Sequence, residues 1–449
     1  MSPREEFERS GRRRTIAPPL TILSGFWEKS GALLWPRNRQ GEGYGSILKG
    51  QPWTVIFCFS FVFASGFGQT FFISLFQNSW QEELGLSAGQ MGSLYGLATL
   101  ISGLLLPWGG RWLDHTSPRR AALIVLLGLS FFTLLVSSIV TIWMLGICLF
   151  GLRFFGQGMS SSVGVSYAAR WFERNRGRAV SLSSLGYPIS EAVMPLSATL
   201  AIATLGWRFT WAGSAFFIAA LLIPLTRLSL KHRYHKGESE NNGEKSASDS
   251  DNQSETVSAA QRSLWLDWRF YLMLGIISPL PFVGTGVIFF QASLAEARGW
   301  SLAVFPSGFF LFAVVRALFS LSAGAWVDRI GPLRLIGFPG LAFALGITFL
   351  LHPAATMVIP FFIFMGISFG ASGAVMTATF TEIFGKNRIG AVRGASSSLA
   401  VFIAASAPAI FGWVLDSGAT LEHLLTGCVF LLLIFAWGAS LLLRSLIRF

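Results

Sequence analysis

Charge is what this sequence has least of. Only 12% of its 449 residues are Asp, Glu, Lys or Arg, about half the roughly 25% found in ordinary soluble domains. So few charges cannot cover a water-facing surface. Cysteine is scarce as well: Cys58, Cys148 and Cys428 all fall inside apolar runs, without paired spacing and without a neighbouring His. That pattern excludes a disulfide scaffold or a cysteine zinc site and leaves three small core residues. Two of the five histidines, His232 and His235, are close enough to share a metal, yet they stand in a basic stretch with no Asp, Glu or Cys at ligand spacing, so no metal and no cofactor is expected. A Gly-x4-Gly-Lys-Ser/Thr phosphate loop is missing, which excludes direct use of ATP. With no set of nucleophile, base and orienting group to be read, the sequence does not point to an enzyme.

What the chain has is apolar length. Hydrophobic residues make up 52% and aromatics 14% of it, gathered in runs of about 20, enough for a helix to cross a hydrocarbon layer of about 30 Å. The runs are continuous rather than alternating, so they are helices and not barrel strands. The fold class is therefore an all-α membrane protein. Spans are expected at 53–76, 88–108, 121–140, 143–168, 178–203 and 208–226, and again at 268–291, 303–323, 333–351, 355–380, 390–414 and 422–444. Between the two sets, residues 227–263 turn polar and Ser/Asn/Asp/Glu-rich, the composition of a disordered linker. The expected organisation is an N-terminal segment 1–50, a six-helix bundle 51–226, the linker 227–263 and a second six-helix bundle 264–449. Residues 1–50 carry Arg12, Arg13 and Arg14 with no apolar core directly after them, so no cleavable signal is visible. The stretch from Leu20 to Leu34 reads as a flexible tail or as a short amphipathic helix on the membrane surface.

The two halves are copies. Residues 77–120 lie over 291–334 at a constant offset of 214, pairing Gln77 with Gln291, Glu82 with Glu296, Gly85 with Gly299, Gly110 with Gly324, Asp114 with Asp328 and Arg120 with Arg334. Further on, Phe172, Asn175, Arg176, Ala179 and Val180 match Phe384, Asn387, Arg388, Ala391 and Val392 at an offset of 212. Such self-similarity has to be read before any other feature. The net charge of +12 sits mostly in alternate loops, on Arg119, Arg120, Arg170, Arg174, Arg176, Lys231, Arg329, Arg334, Lys386 and Arg388. It orients the chain, both termini cytoplasmic, rather than binding nucleic acid. Arg208 and Arg298 are the exceptions on the other side.

The segment Gly110-Arg-Trp-Leu-Asp114-His-Thr-Ser-Pro-Arg119-Arg120, following span 2, resembles the signature loop of the major facilitator superfamily. Its copy after span 8, Gly324-Ala-Trp-Val-Asp328-Arg329-Ile-Gly331-Pro-Leu-Arg334, fits that pattern more fully, since the first has His115 and Ser117 where the second has Arg329 and Gly331. The resemblance covers roughly residues 50–449. It implies two six-helix bundles that rock about a central site, with the Gly letting helices approach and the Asp pairing with a neighbouring helix to latch the cytoplasmic side in the outward-facing state. Plain enforcement of topology is the other reading of these charges. Trp171–Arg178, Gly206-Trp207-Arg208 and Glu382–Gly390 are similar to bacterial members near the monocarboxylate and oxalate/formate porters.

Charges within spans cost on the order of 2.5–3.5 kcal/mol each at the bilayer centre, which makes them the site candidates. Arg316 stands eight residues before Gly324, roughly 12 Å deep at 1.5 Å per residue, where a guanidinium would clamp a carboxylate through two parallel bonds. The resemblance also places a substrate arginine on span 8, though in many relatives one turn nearer the loop, at this chain's Ser320. Arg153 and Gln157 share one face of span 4, and Arg153 either lines the cavity or pairs with Glu191. Glu191, the one carboxylate deep in a span, lies between Pro188 and Pro195. It is the candidate for carrying a coupling proton, because a carboxyl's charge state depends on burial and on any arginine beside it. Spans 1 and 7 are expected to be interrupted at Ser65–Thr70 and at Pro279–Gly286, which would bring Gln69, Thr70 and Thr285 to a midplane site, with Tyr95 in its wall. These features describe a secondary transporter in the inner or plasma membrane, expected to act as a monomer, moving a small organic anion such as a monocarboxylate together with protons. A proton-driven exporter of amphipathic compounds and a sensor that no longer transports are the alternatives.

Overall fold

The computed structural model describes residues 44–172, 176–235, 264–385 and 388–438. Most of the N-terminal segment, most of the linker, Arg174 and Lys386 therefore lie outside the described residues. The chain divides into two units, Met1–Gly50 and Gln51–Phe449. In the first, Tyr44–Gly50 is a short helix; the second holds all the spans.

Among the described residues there is no strand, and ten helices are long and apolar enough to cross a membrane, or eleven if the bent pair Pro52–Gly68 and Thr70–Leu84 counts as one. The longest run, Arg176–His232, is broken at Gly206, whose φ of 81° is not helical. Dividing it there gives twelve spans. Span 1 is Pro52–Leu84 with its bend, span 2 Ala88–Asp114, span 3 Pro118–Val136 and span 4 Ile142–Trp171; spans 5 and 6 are 176–205 and 207–235. The second half runs Trp268–Phe289, Val304–Ile330, Pro332–Leu350, Ala355–Phe384, Ile389–Asp416 and Leu421–Gly438, spans 7 to 12.

Several helices outrun the apolar stretches that reveal them. Spans 2 and 8 continue to Asp114 and Ile330, so Gly110, Asp114, Gly324 and Asp328 sit on final helical turns and not in a loop. Their neighbours are good helix formers, and a helix that leaves the bilayer keeps its backbone bonds. Span 6 likewise runs on to His235, past the expected end at residue 226.

The duplication is visible in the backbone. Gly85 and Gly299 have φ of 64° and 65°, a left-handed conformation that a side chain would strain. Gly85 ends the short helix Gln77–Leu84 that completes span 1, and Gly299 lies just past its counterpart Gln291–Ala297, after span 7. Phe76 and Phe290, one residue before Gln77 and Gln291, both leave ideal helical geometry, with φ/ψ of −98°/−5° and −92°/18°.

The interruption expected at Pro279–Gly286 is not there: span 7 is helical across it. Pro279 opens a helical segment straight after Ser278, which is itself helical, and Phe282 N–H still donates to Ser278 O at 3.2 Å. Span 1 does break, at Ser65–Gly68, a 3₁₀ turn followed by extended Gln69.

Helix association in lipid relies on close packing rather than on expulsion of water. Spans 2 and 11 cross so tightly that a Cβ on Gly92 would come within 2.0 Å of Pro408 O, and one on Gly412 within 2.3 Å of Ala88 O. Outward-facing Trp143, Phe216, Phe310 and Leu321 are exposed, forming an apolar face suited to lipid tails. Arg208 and Arg298, the two arginines on the sparsely charged side, are tied into local structure. Arg208 pairs with Glu83 and donates to Ser137 O and Ile139 O; Arg298 pairs with Glu422 at 3.2 Å and donates to Leu350 O and Leu351 O.

Candidate functional site

A cavity of about 290 Å³ lies between the two bundles, and Gln69, Thr70, Tyr95, Arg153, Gln157, Glu191, Thr285 and Arg316 all line it. These are the eight residues the sequence suggests for substrate and proton. Five aromatic rings, Phe71, Tyr187, Phe309, Phe312 and Phe369, add to its wall. None of these five stands out in the sequence, where 42 Phe residues are spread over most of the spans. Tyr187 had one usable signal, since it lies one helical turn before Glu191 on the same face.

Glu191 on span 5 accepts a hydrogen bond from Arg316 Nη1 on span 8 at 3.1 Å, so an ion pair bridges the two halves inside the cavity. The Glu191 side chain is 7% exposed and that of Arg316 36%. The pair is thus one buried carboxylate and one guanidinium that keeps access to the cavity. Arg316 also faces the rings of Tyr187 and Phe312, each 5.6 Å from its carbon to the centroid. The alternative pairing of Glu191 with Arg153 is not formed. Arg153 points the other way because the broken span 1 offers it an acceptor.

Arg153 sits in a π-helical stretch of span 4, Leu152–Ser160, a wider winding common at functional positions. Its Nη1 donates to Gly68 O at 3.0 Å, and its guanidinium carbon lies 5.2 Å from the centre of the Tyr95 ring. Gly68 and Gly156 touch backbone to backbone there, so that a Cβ on Gly68 would meet Leu152 O at 2.2 Å. Tyr95 in turn shares a 2.8 Å hydrogen bond with Thr70. Spans 1, 2 and 4 are locked together at the break.

A second cavity of about 420 Å³ shares Thr99, Arg153, Gln157 and Val401 with the first. It follows Ser161, Ser162 and Ser166 of span 4 and Ser102 and Leu106 of span 2, running toward the Asp114 end of the bundle.

Away from this path, at the Gln77 end, the halves are joined. Gln77 Nε2 donates to Ser293 Oγ at 3.2 Å, Gln291 Nε2 to Ser74 Oγ at 2.7 Å, and Asn78 binds both Ser293 and Glu296. Asp416, at the end of span 11, accepts from Ser87 Oγ at 2.6 Å and from Gly89 N–H at 2.9 Å, capping span 2 from the opposite half. Sequence reasoning found Gln77 and Gln291 as repeat partners but gave no role to either.

In the signature segments, Asp114 pairs with Arg170 at the end of span 4, within its own half. Asp328 makes no ion pair among the described residues, and Arg119, Arg120, Arg329 and Arg334 lie on the same end of the molecule, at the ends of spans 2 and 8 and the starts of spans 3 and 9. The expected close approach of helices at Gly110 and Gly324 is absent here: nothing lies within 4 Å of a Cβ placed on either. Both glycines face open space instead of a neighbouring helix.

No curated protein matches the sequence significantly. Solved structures do match its shape. A bacterial homolog of the human lysosomal transporter Spinster, in an inward-facing and occupied conformation, superposes with a TM-score of 0.64 at 15% identity over 90% of this chain and 98% of that one. The nucleoside transporter NupG does so with a TM-score of 0.63 at 11% identity over 88% and 98%. At such identities the likeness is one of fold. The family model for the Major Facilitator Superfamily matches residues 58–408, most of the chain, and the protein is therefore a member of the Major Facilitator Superfamily, a multi-pass membrane transporter and not an enzyme.

Proposed function

We propose that the protein is a secondary active transporter that carries a small organic anion through the central cavity by alternating access, in symport with protons. The observation that carries this reading is the Glu191–Arg316 pair, because it joins the two halves within the cavity. Separating the halves would leave a buried carboxylate and a guanidinium unpaired, a cost of several kcal/mol. Two neutral outcomes avoid that cost: the substrate's carboxylate takes the place of Glu191 on Arg316, and a proton neutralises Glu191. Each requires the other. Anion and proton would then cross together.

The sign of the cavity supports an anion. Before any proton is taken up, its lining holds two guanidiniums and one carboxylate, a surplus of one positive charge that a bound monoanion offsets and a neutral nucleoside, of the kind NupG is named for, does not. By the distribution of loop arginines the Asp114 end is assigned to the cytoplasm, and with the Gln77 end closed this is the inward-facing state. A plasma or inner membrane location follows from the same reading, and one chain carries both halves of the site, so a monomer suffices. The aromatic wall favours a second reading, export of amphipathic compounds. A transporter-shaped sensor is the third.

The deciding experiment is flux in proteoliposomes, with an imposed pH gradient and labelled small carboxylates set beside labelled lipophilic cations. Carboxylate accumulation that rises when the outside is made acid is the expected result. Flux of cations alone would install the exporter reading, and no flux of either class would favour the sensor.

A further inference from the structure

The two cavity arginines are not equivalent. Arg316 already has a carboxylate, Glu191, at 3.1 Å. Arg153 is only 5% exposed and has no ion-pair partner among the described residues; its contacts are a single backbone carbonyl, Gly68 O, and the face of Tyr95. Its buried Nε has no acceptor. A buried guanidinium with an unused donor is costly to maintain, and a carbonyl and a ring face compensate it only in part. An anion is the missing partner.

We infer that Arg153 is a separate anion seat, occupied first by substrate entering from the Asp114 end while Glu191 and Arg316 remain paired, and that it selects a hydroxylated monocarboxylate. This rests on the reading of the central cavity as the path of an organic anion. Arg153 and Gln157 line both cavities, so they stand where the second opens into the first. One negative charge matches the single unpaired guanidinium, and a dianion would overshoot it unless Glu191 gave up its place on Arg316.

The second cavity supplies the selectivity for hydroxyl groups. Gln157, Ser161, Ser162 and Ser166 line it, and none of these side chains makes a hydrogen bond among the described residues. These groups are part-exposed and hydrogen-bond to solvent when no ligand is bound, so a ligand with matching hydroxyls gains a modest preference by replacing that solvent. An aliphatic acid satisfies Arg153 and offers those groups nothing. The carboxylate then passes from Arg153 to Arg316 as Glu191 takes up its proton. No covalent step is involved.

The test is a binding measurement on the purified full-length protein without a pH gradient, by thermal shift and calorimetry, with three probes. Glycerate is a hydroxylated monoanion, propionate the same acid without hydroxyls, and glycerol the uncharged control. Glycerate should bind roughly tenfold more tightly than propionate, the ratio expected for two or three recovered hydrogen bonds, and glycerol should not bind. Arg153→Gln should abolish glycerate binding, while Arg316→Gln should keep it within a few-fold. Because Arg153 also holds span 1, the double variant Ser161→Ala/Ser162→Ala provides a check that leaves that tie intact. It should bring glycerate down toward propionate without changing propionate itself. Equal binding of the two acids, no glycerate binding by the wild type, or loss in Arg316→Gln with retention in Arg153→Gln would overturn the seat. Gradient-driven carboxylate uptake persisting in liposomes in any of those cases would show that the transport reading survives without it.

Discussion

Gln77 and Gln291 occupy the same position in the two copies of the duplicated unit, and each reaches across to the other half. Gln77 donates to Ser293, and Gln291 donates to Ser74. Both are fully buried. The two amides are repeat equivalents while their acceptors are not, Ser293 matching Ser79 and Ser74 matching Ile288, and neutral hydrogen bonds of this kind contribute about 0.5–1.5 kcal/mol each. That magnitude suits a contact that must form and break in every cycle. A stronger tie would trap one state.

A covalent version of this contact should stop the cycle. In a background without Cys58, Cys148 and Cys428, the double variant Ser74→Cys/Gln291→Cys should crosslink under oxidation or with a short bifunctional thiol reagent. Uptake should then fall to background and return on reduction. Crosslinked protein that still transports at the full rate would show that the Gln77 end need not open.

Asp416 closes the same end by a different means, as a carboxylate at the N-terminus of span 2, where negative charge is stabilised by about 0.3–1 kcal/mol. Asp416→Asn keeps the size and loses the charge. The population should shift several-fold toward the state open at the Gln77 end, visible as faster thiol labelling of a cysteine placed at Asn78. Unchanged labelling would reduce Asp416 to a cap of no consequence for gating.

The crossing of spans 2 and 11 sets a steric condition on closure. Gly412→Leu puts a side chain against backbone, since Ala88 O stands 2.3 Å from a Cβ there, and a carbonyl in a helix cannot move aside. Overpacking of this kind costs about 1–3 kcal/mol or more. The variant should insert in the membrane normally, yet fail to form the Ser74→Cys/Gln291→Cys crosslink. Normal crosslinking would mean that the helices slip past one another at no cost.

How much of this was legible depended on the type of signal. The duplication could be read from residues matched at a fixed offset and the spans from apolar runs, and the charged residues of the cavity could be read because ionised groups such as Arg153, Glu191 and Arg316 are costly in hydrocarbon and hence rare; its aromatic wall could not. Nor could the pairing of those charges. Arg153 and Glu191 are on adjacent spans of one half, but packing turns Arg153 to Gly68 and brings Arg316 to Glu191 from the other half. Local chain geometry misled in a different way: Pro279 and Pro281 leave span 7 helical, while Ser65–Gly68, with no proline, breaks span 1. Proline removes one donor and fixes a φ that a helix accepts. Gly68 instead lets Arg153 and the backbone of span 4 come close enough to replace the lost bonds.

The ion pair predicts an asymmetry between its two halves. Arg316→Gln leaves Glu191, 7% exposed, as a buried carboxylate without its partner, whereas Glu191→Gln leaves Arg316 with more than a third of its side chain open to the cavity. The first substitution should therefore lower the melting temperature more, by the equivalent of about 1–3 kcal/mol once the exposure of Arg316 is allowed for. The double variant should recover most of the loss, because a glutamine pair leaves no charge unpaired. Function should separate the same residues. Glu191→Gln should still exchange substrate across the membrane but lose accumulation driven by a proton gradient, along with the dependence of exchange on pH, since nothing remains at that position to take up the proton. Equal destabilisation by the two single variants would show that the pair is not the strut between halves. Gradient-driven uptake surviving in Glu191→Gln would place the coupling proton elsewhere.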